Sequence, residues 1–244
     1  MLEQWGVALA VLGMLLATLF MAAVLKRYQE HQALVRAQVR RLEAGIVEAT
    51  EILSDLHGVP LSRELRVTLR SDIVARYRRI QRLFRRYPAI AQRIRQAEGA
   101  VNAEGAPPAG GVGPIEDEQA FRKITRSLDR LAGILEAGST LQPVPDDVRA
   151  IFRREVGERC AEANARFHLV ASVRLERKGD CLRARSHLTT LLQVLRKRGP
   201  GTEFVHELYA EAEAALREMA KRQAAPFADG ADQAQVAAQR SRPR

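Results

Sequence analysis

Histidine, cysteine and arginine are the residues of this sequence with the most chemistry to offer. His168 and His187 lie at comparable distances from Gly179-Asp180, on opposite arms of an expected helical hairpin, so they can approach each other. A metal site would need further ligands, and Cys160 and His206 are the only neighbours in sequence that could supply them. No HExxH or paired-ligand spacing accompanies them. The expectation is therefore packed or surface histidines, with no metal and no cofactor. Cys160 and Cys181 sit on the order of 30 Å apart along one helical arm, too far for a disulfide. Gly110-Gly111 and Gly113-Pro114 lack the GK[ST] and helix start of a phosphate loop. Ser139-Thr140 reads as loop chemistry rather than a nucleophile. No catalytic residue is nominated, and an enzyme of unrecognised type is the weakest of the functional readings.

Arginine dominates the 39 basic residues, which give a net charge of +10 against 29 acidic ones. The densest run lies between Arg63 and Arg95, relieved by few carboxylates. If helical, it places Leu65, Leu69, Ile73, Tyr77, Ile80, Phe84 and Tyr87 on one stripe. Its other face carries Arg63, Arg66, Arg70, Arg76, Arg78, Arg79, Arg82, Arg85 and Arg86. Such a face suits an acidic protein, anionic lipid or nucleic-acid phosphates. It equally suits a solvated back on a packed helix. The aromatics share the apolar stripe instead of alternating with the arginines, which argues against a single-strand binder. Arg76, Arg79, Arg82 and Arg86 are the candidate partner-binding residues here.

The elements that must hold these residues are helical throughout. Leu, Ala, Arg and Glu dominate, and period-two runs of β-branched residues are missing. The expected fold is all-α. Gln4–Leu25 carries no charge and, at about 1.5 Å per residue, spans roughly 30 Å as a helix. It reads as a retained transmembrane helix after a tail of residues 1–3. It is too long for a signal-peptide core and lacks a basic segment before it. Trp5 and Tyr28 flank it as interfacial aromatics. Lys26, Arg27, Arg36, Arg40 and Arg41 follow it, which predicts the N-terminus outside and the remainder cytoplasmic, at an inner or plasma membrane. Those basic residues can also meet anionic headgroups.

Beyond the membrane a heptad series continues the helix. Leu25, Gln32, Val39, Ile46 and Leu53 occupy one seam position; Tyr28, Val35, Leu42, Ala49 and Leu56 occupy the other. The stripe packs either on a second copy, giving a parallel homodimer, or on the return helix of the same chain. Gly58 and Pro60 end this helix, and Ser62 is positioned to cap the next. Residues 26–98 thus form a membrane-proximal hairpin, with Pro88 breaking its second arm. Residues 99–114, rich in Gly, Pro and Ala, read as a linker.

A distal helical unit follows over 115–222. Its helices are expected over Glu116–Ala137, Val148–Arg177, Cys181–Lys197 and from Thr202 to Arg222. Gly138 ends the first, and Asp146 or Asp147 caps the second. In the second, Val148, Ile151, Phe152, Val156, Ala163, Phe167, Val170 and Leu175 are expected inside. Glu158 and Glu162, with Arg154 and Arg166, are expected on a solvated face. From Gln223 onward the polar, Ala/Gln-rich tail is expected to lack structure.

Phe167–Leu195, within about residues 160–198, resembles a single tetratricopeptide repeat. Gly179-Asp180 matches the family's turn, Ala184 its small residue, and Leu188 and Leu191 its core positions. His168 replaces the early aromatic, Ser172 replaces a small residue, and no second copy occurs at a period of 34. The resemblance implies helix–turn–helix packing and protein binding, and it nominates a groove around His168, Ser172 and Arg183. The functional expectation is a single-pass, membrane-anchored helical adaptor that binds a protein partner. The alternative is a membrane-tethered nucleic-acid or anionic-lipid binder acting through Arg63–Arg95.

Overall fold

The computed structural model describes residues 2–85, 87–105 and 110–240, and within them the side chains of Met14 and residues 18–222. Every regular element among the described residues is an α-helix, so the chain is all-α. The helices are α1 (Leu2–Asp55), α2 (Arg63–Leu83), α3 (Ile90–Asn102), α4 (Glu118–Ala137), α5 (Asp146–Arg177), α6 (Cys181–Arg198) and α7 (Glu203–Arg240). Among the described residues no helix is long and apolar enough to cross a membrane. Most side chains of Gln4–Leu25, on which the transmembrane expectation rests, lie outside those described. Those that are described stand free of the chain: Leu19, Phe20, Met21 and Leu25 are all more than half exposed.

The chain divides into two compact units, Met1–Ala49 with Arg70–Asn102, and Thr50–Leu69 with Ala103–Arg244. In the first unit, α1 carries the heptad stripe inward only from its middle. Val39, Ile46 and Ala49 are buried, whereas Leu25 and Tyr28 remain exposed. The partner of the buried stretch is the same chain's α2 and the turn after it. The Arg76 guanidinium fills the space beside Gly45, and the Tyr87 hydroxyl donates to the Glu43 carboxylate. α2 contributes Ile73, Val74 and Ile80 to this interior, and α3 contributes Ile90 and Ile94. α2 ends at Leu83, short of the expected Tyr87. The following turn holds Ala89 at φ +53°, and α3 starts at Ile90.

In the second unit the hairpin tip joins the distal helices. Ile52, Leu56, Val59, Leu61, Leu65 and Leu69 share one core with Leu128, Leu131 and Leu135 of α4 and Phe152 and Val156 of α5. Ser62 caps α2 as expected from sequence, its Oγ accepting from the Leu65 N–H at 3.3 Å. It is in turn held by Glu155 of α5, whose carboxylate accepts from both the Ser62 amide and hydroxyl. Residues 110–115 are no free tether. Val112 and Ile115 are buried in the same core, and the Val112 N–H donates to Glu162 Oε1 at 2.9 Å. α3 runs into the expected linker as far as Asn102. Residues 106–109 lie outside those described.

Helix ends in this unit follow local chemistry. The Asp117 carboxylate accepts from the amides of Gln119 and Ala120 at the start of α4, and Gly138 at φ +57° closes it. Asp146 and Asp147 lie inside the first turn of α5 instead of capping it; Pro145 takes the cap position without a side-chain bond, and Asp146 pairs with Arg149. Gly179 at φ +80° turns α5 into α6, and Asp180 caps α6 by accepting from the Arg183 amide. A second core joins Ala161 and Ala165 of α5 to Leu191 and Leu195 of α6 and Val205, Leu208 and Ala212 of α7. The α7 backbone remains helical as far as Arg240, beyond the expected end at Arg222.

Candidate functional site

The α5–α6 hairpin brings the two histidines together. Phe121 of α4 stacks on Phe167 of α5 with ring centroids 4.1 Å apart, and the His168 ring lies edge-on to both. His187 reaches across from α6, placing its Nδ1 3.0 Å from His168 Nδ1. At that distance one Nδ1–H donates and the other Nδ1 accepts, so the two rings share a single Nδ1–H. His168 is 9% exposed. Burial, then the neighbouring His187, pushes its pKa down to about 4. The pair is thus an apolar-walled hydrogen bond linking α5 and α6. Among the described residues no group of three or more potential ligands converges on a metal position.

The expected groove does not gather His168, Ser172 and Arg183 in one place. An open groove of about 760 Å³ does lie between α5, α6 and α7, with Ser172, Val173, Leu188, Ala215 and Met219 in its floor. Ser172 belongs to it, although its hydroxyl is turned back to the Leu169 carbonyl at 2.8 Å. His168 is committed to the aromatic cluster. Arg183 sits in the first turn of α6, exposed, 3.5 Å from the Asp180 carboxylate. Along the groove's rim Arg222 bridges Glu176 and Glu218 at 3.1 and 3.6 Å.

The arginine face of α2 is also divided. Arg63 donates to the Glu104 carbonyl, and Arg66 pairs with the Glu104 carboxylate at 2.7 Å. Arg76, expected at a binding surface, is tucked beside Gly45 and bonded to the buried Asp72 carboxylate at 2.6 Å. Arg78 pairs with Glu98 on α3 at 2.6 Å. Arg79, Arg82 and Arg85 stand exposed, and Arg86 lies outside the described residues. The physical reason is register. α2 has buried neighbours over more than its apolar stripe, so cations bordering that stripe are drawn into structural pairs.

Two groups of consequence escaped the sequence reading. Glu162, expected in solvent, is 2% exposed; it binds Arg159 at 2.7 Å as well as the Val112 amide. Asp55 gathers the Ser127 hydroxyl at 2.6 Å and Lys123 at 3.0 Å. Burial alone would raise its carboxyl, but the bonds from Ser127 and Lys123 outweigh it and hold it below the usual range. The Cys160 thiol is pushed up to about 11, first by burial and then by Asp129. It is therefore a poor nucleophile at neutral pH, and both cysteines are free. Neighbouring residues gave no sequence signal for these contacts, because each joins segments at least 50 positions apart or depends on burial.

No family model matches the chain, and no curated protein or solved structure matches it either.

Proposed function

We propose that this protein is a single-pass membrane-anchored helical adaptor. Gln4–Leu25 crosses the bilayer with the N-terminus outside, and the cytoplasmic helices bind a protein partner. The observation that carries the reading is the apolar surface of α1: Leu19, Phe20, Met21 and Leu25 are 57–71% exposed. Contiguous apolar surface of this kind needs a cover, and a hydrocarbon layer matches its length and lack of charge. The basic flank from Lys26 supports the orientation. The open α5–α7 groove and the exposed Arg79, Arg82 and Arg85 offer surfaces to a partner. A nucleic-acid reading draws less support, because Arg63, Arg66, Arg76 and Arg78 are taken up within the chain. The test is membrane extraction at alkaline pH combined with C-terminal reporter fusions. Retention in the pellet with a cytoplasmic readout is expected. Release into the supernatant, or an extracytoplasmic readout, removes the anchor or its direction.

A further inference from the structure

In the first unit, an apolar slot of about 480 Å³ opens between α1 and the turn that follows α2. Its walls are Val35 and Val39 on one side and Phe84, Tyr87 and Pro88 on the other. Phe84 is 46% exposed, a large apolar ring left uncovered at the mouth. Among the described residues, the charged ones lining the slot are Arg36 and Arg40, both cationic and both exposed. Glu43, one turn farther along α1, is occupied by the Tyr87 hydroxyl. Arg93 adds a third cation behind the aromatic wall, its guanidinium 5.3 Å over the Tyr87 ring and donating to the Tyr87 oxygen at 3.1 Å. The turn that presents this wall holds Ala89 at φ +53°, a left-handed conformation that costs a non-glycine residue about 1 kcal/mol.

The geometry points to an acidic, amphipathic segment of a protein partner as the occupant of this slot. An aliphatic or aromatic side chain enters between Val35, Val39 and Phe84, and flanking carboxylates meet Arg36 and Arg40. The inference rests on the adaptor reading and names its surface and the chemistry of its partner. Two features select this occupant: cations without a competing carboxylate among the described lining residues, and an apolar floor that a purely anionic ligand would leave unfilled.

Distance separates this partner from a lipid headgroup. Val35 and Val39 lie ten and fourteen residues beyond Leu25 on the same helix, about 15–21 Å along its axis. The headgroup layer is only about 5–8 Å thick on each side. At an ordinary tilt of about 20° the slot stays outside that layer. Measured from the outer edge of that layer, Val39 stands about 12–15 Å out, beyond a screening length of about 8 Å, and Val35 about 6–9 Å out, close to one.

The test uses the full chain in zwitterionic phosphatidylcholine nanodiscs. The probe is a fluorescein-labelled helical peptide with Leu or Phe at i, i+3, i+4 and i+7 and Glu elsewhere; its twin carries Lys in place of Glu. Saturable binding of the acidic peptide is expected, weaker by at least about tenfold for the twin and for the Arg36→Glu/Arg40→Glu variant. Phe84→Ala should weaken it by about fivefold or more. Arg153→Glu, an exposed change in the other unit, should leave it unaltered. All of these replace exposed side chains, so the variants should fold. Equal binding of both peptides, or indifference to the slot variants, overturns the inference. So does a variant effect confined to adhesion to phosphatidylglycerol vesicles. The adaptor reading is judged separately: a native partner cross-linking only from the α5–α7 groove would retain it while removing the slot.

Discussion

The two units differ less in their helices than in what their charges are used for. The first holds fourteen basic and six acidic residues, a net +8; the second holds twenty-five and twenty-three, a net +2. In the second, charged and polar groups knit together segments far apart in sequence. Glu162 secures Val112, Glu155 secures Ser62, and Asp55 secures Ser127 and Lys123. In the first, Asp72 and Glu98 pair with Arg76 and Arg78, Glu43 takes the Tyr87 hydroxyl, and fourteen basic residues outnumber six acidic ones. Charge in the second unit is part of the fold. Much of the charge in the first is left facing outward, where a partner can use it.

The comparison breaks most readily at the core of the second unit. Leu188 of α6 is fully buried between α5 and α7. Leu188→Ala should cost about 3 kcal/mol, the transfer term plus the cavity left behind. Hydrogen exchange on the full chain in detergent should localise the lost protection to α5–α7. If protection falls equally in residues 70–83 of α2 and in α3, the units are not independent in stability.

Glu162→Ala should cost slightly less, about 2–3 kcal/mol. It strands the buried Val112 amide and leaves Arg159 without its acceptor. Exchange at 110–115 should rise first. Glu162→Gln retains an oxygen for Val112 and should recover part of the loss. In the first unit the matching change is Arg76→Ala, expected at about 2 kcal/mol. It removes the Arg76 bond to buried Asp72 and empties the space beside Gly45.

Sequence reveals a residue well when its surroundings are local and one-sided. α4 and α6 each bury one stripe, and Leu128, Leu131, Leu188 and Leu191 stand where their spacing puts them. Gly138, Gly179 and Asp180 were legible because caps and turns depend on near neighbours. α5 was less so. It packs on α4 along one side and on α6 and α7 along another, so its buried set wraps around the helix. Ile151, expected inside, is 63% exposed, while Glu162 is buried. Val112 was hidden for a related reason: its amide partner lies fifty residues away, and the surrounding Gly and Pro gave the appearance of a tether. The histidine pair was legible as a possibility of approach through its symmetry about Gly179-Asp180. Its separation from the Ser172 groove was not, since that depends on the rotation of α5.

The histidine pair sharpens the contrast through pH. The folded pKa of His168, about 4, lies below its ordinary 6.5, so between these values the unfolded chain binds more protons than the folded one. Stability is therefore fully present above about pH 6.5 and is lost as pH falls toward 4. Partial solvation reduces the linkage, leaving an expected loss of about 1–2 kcal/mol. A second proton also sets two N–H groups face to face across 3.0 Å. Denaturation midpoints between pH 7 and 4.5 should fall more for wild type than for His168→Phe. An identical decline in both would place the pH sensitivity elsewhere.

The smallest expected effect discriminates most sharply between the two uses of charge. Arg79, Arg82 and Arg85 are exposed and none makes an ion pair among the described residues. Replacing each with Gln should therefore change stability by no more than about 0.5 kcal/mol. The triple variant should unfold like wild type in the same denaturant series in which Arg76→Ala does not. Removing three like charges from an already cationic unit also relieves self-repulsion, so a small gain at low salt that vanishes at high salt fits the same account. A loss comparable to that of Arg76→Ala would mean that these arginines are structural too, and the division between a knitted unit and an outward-facing one would fail at the place where it is drawn.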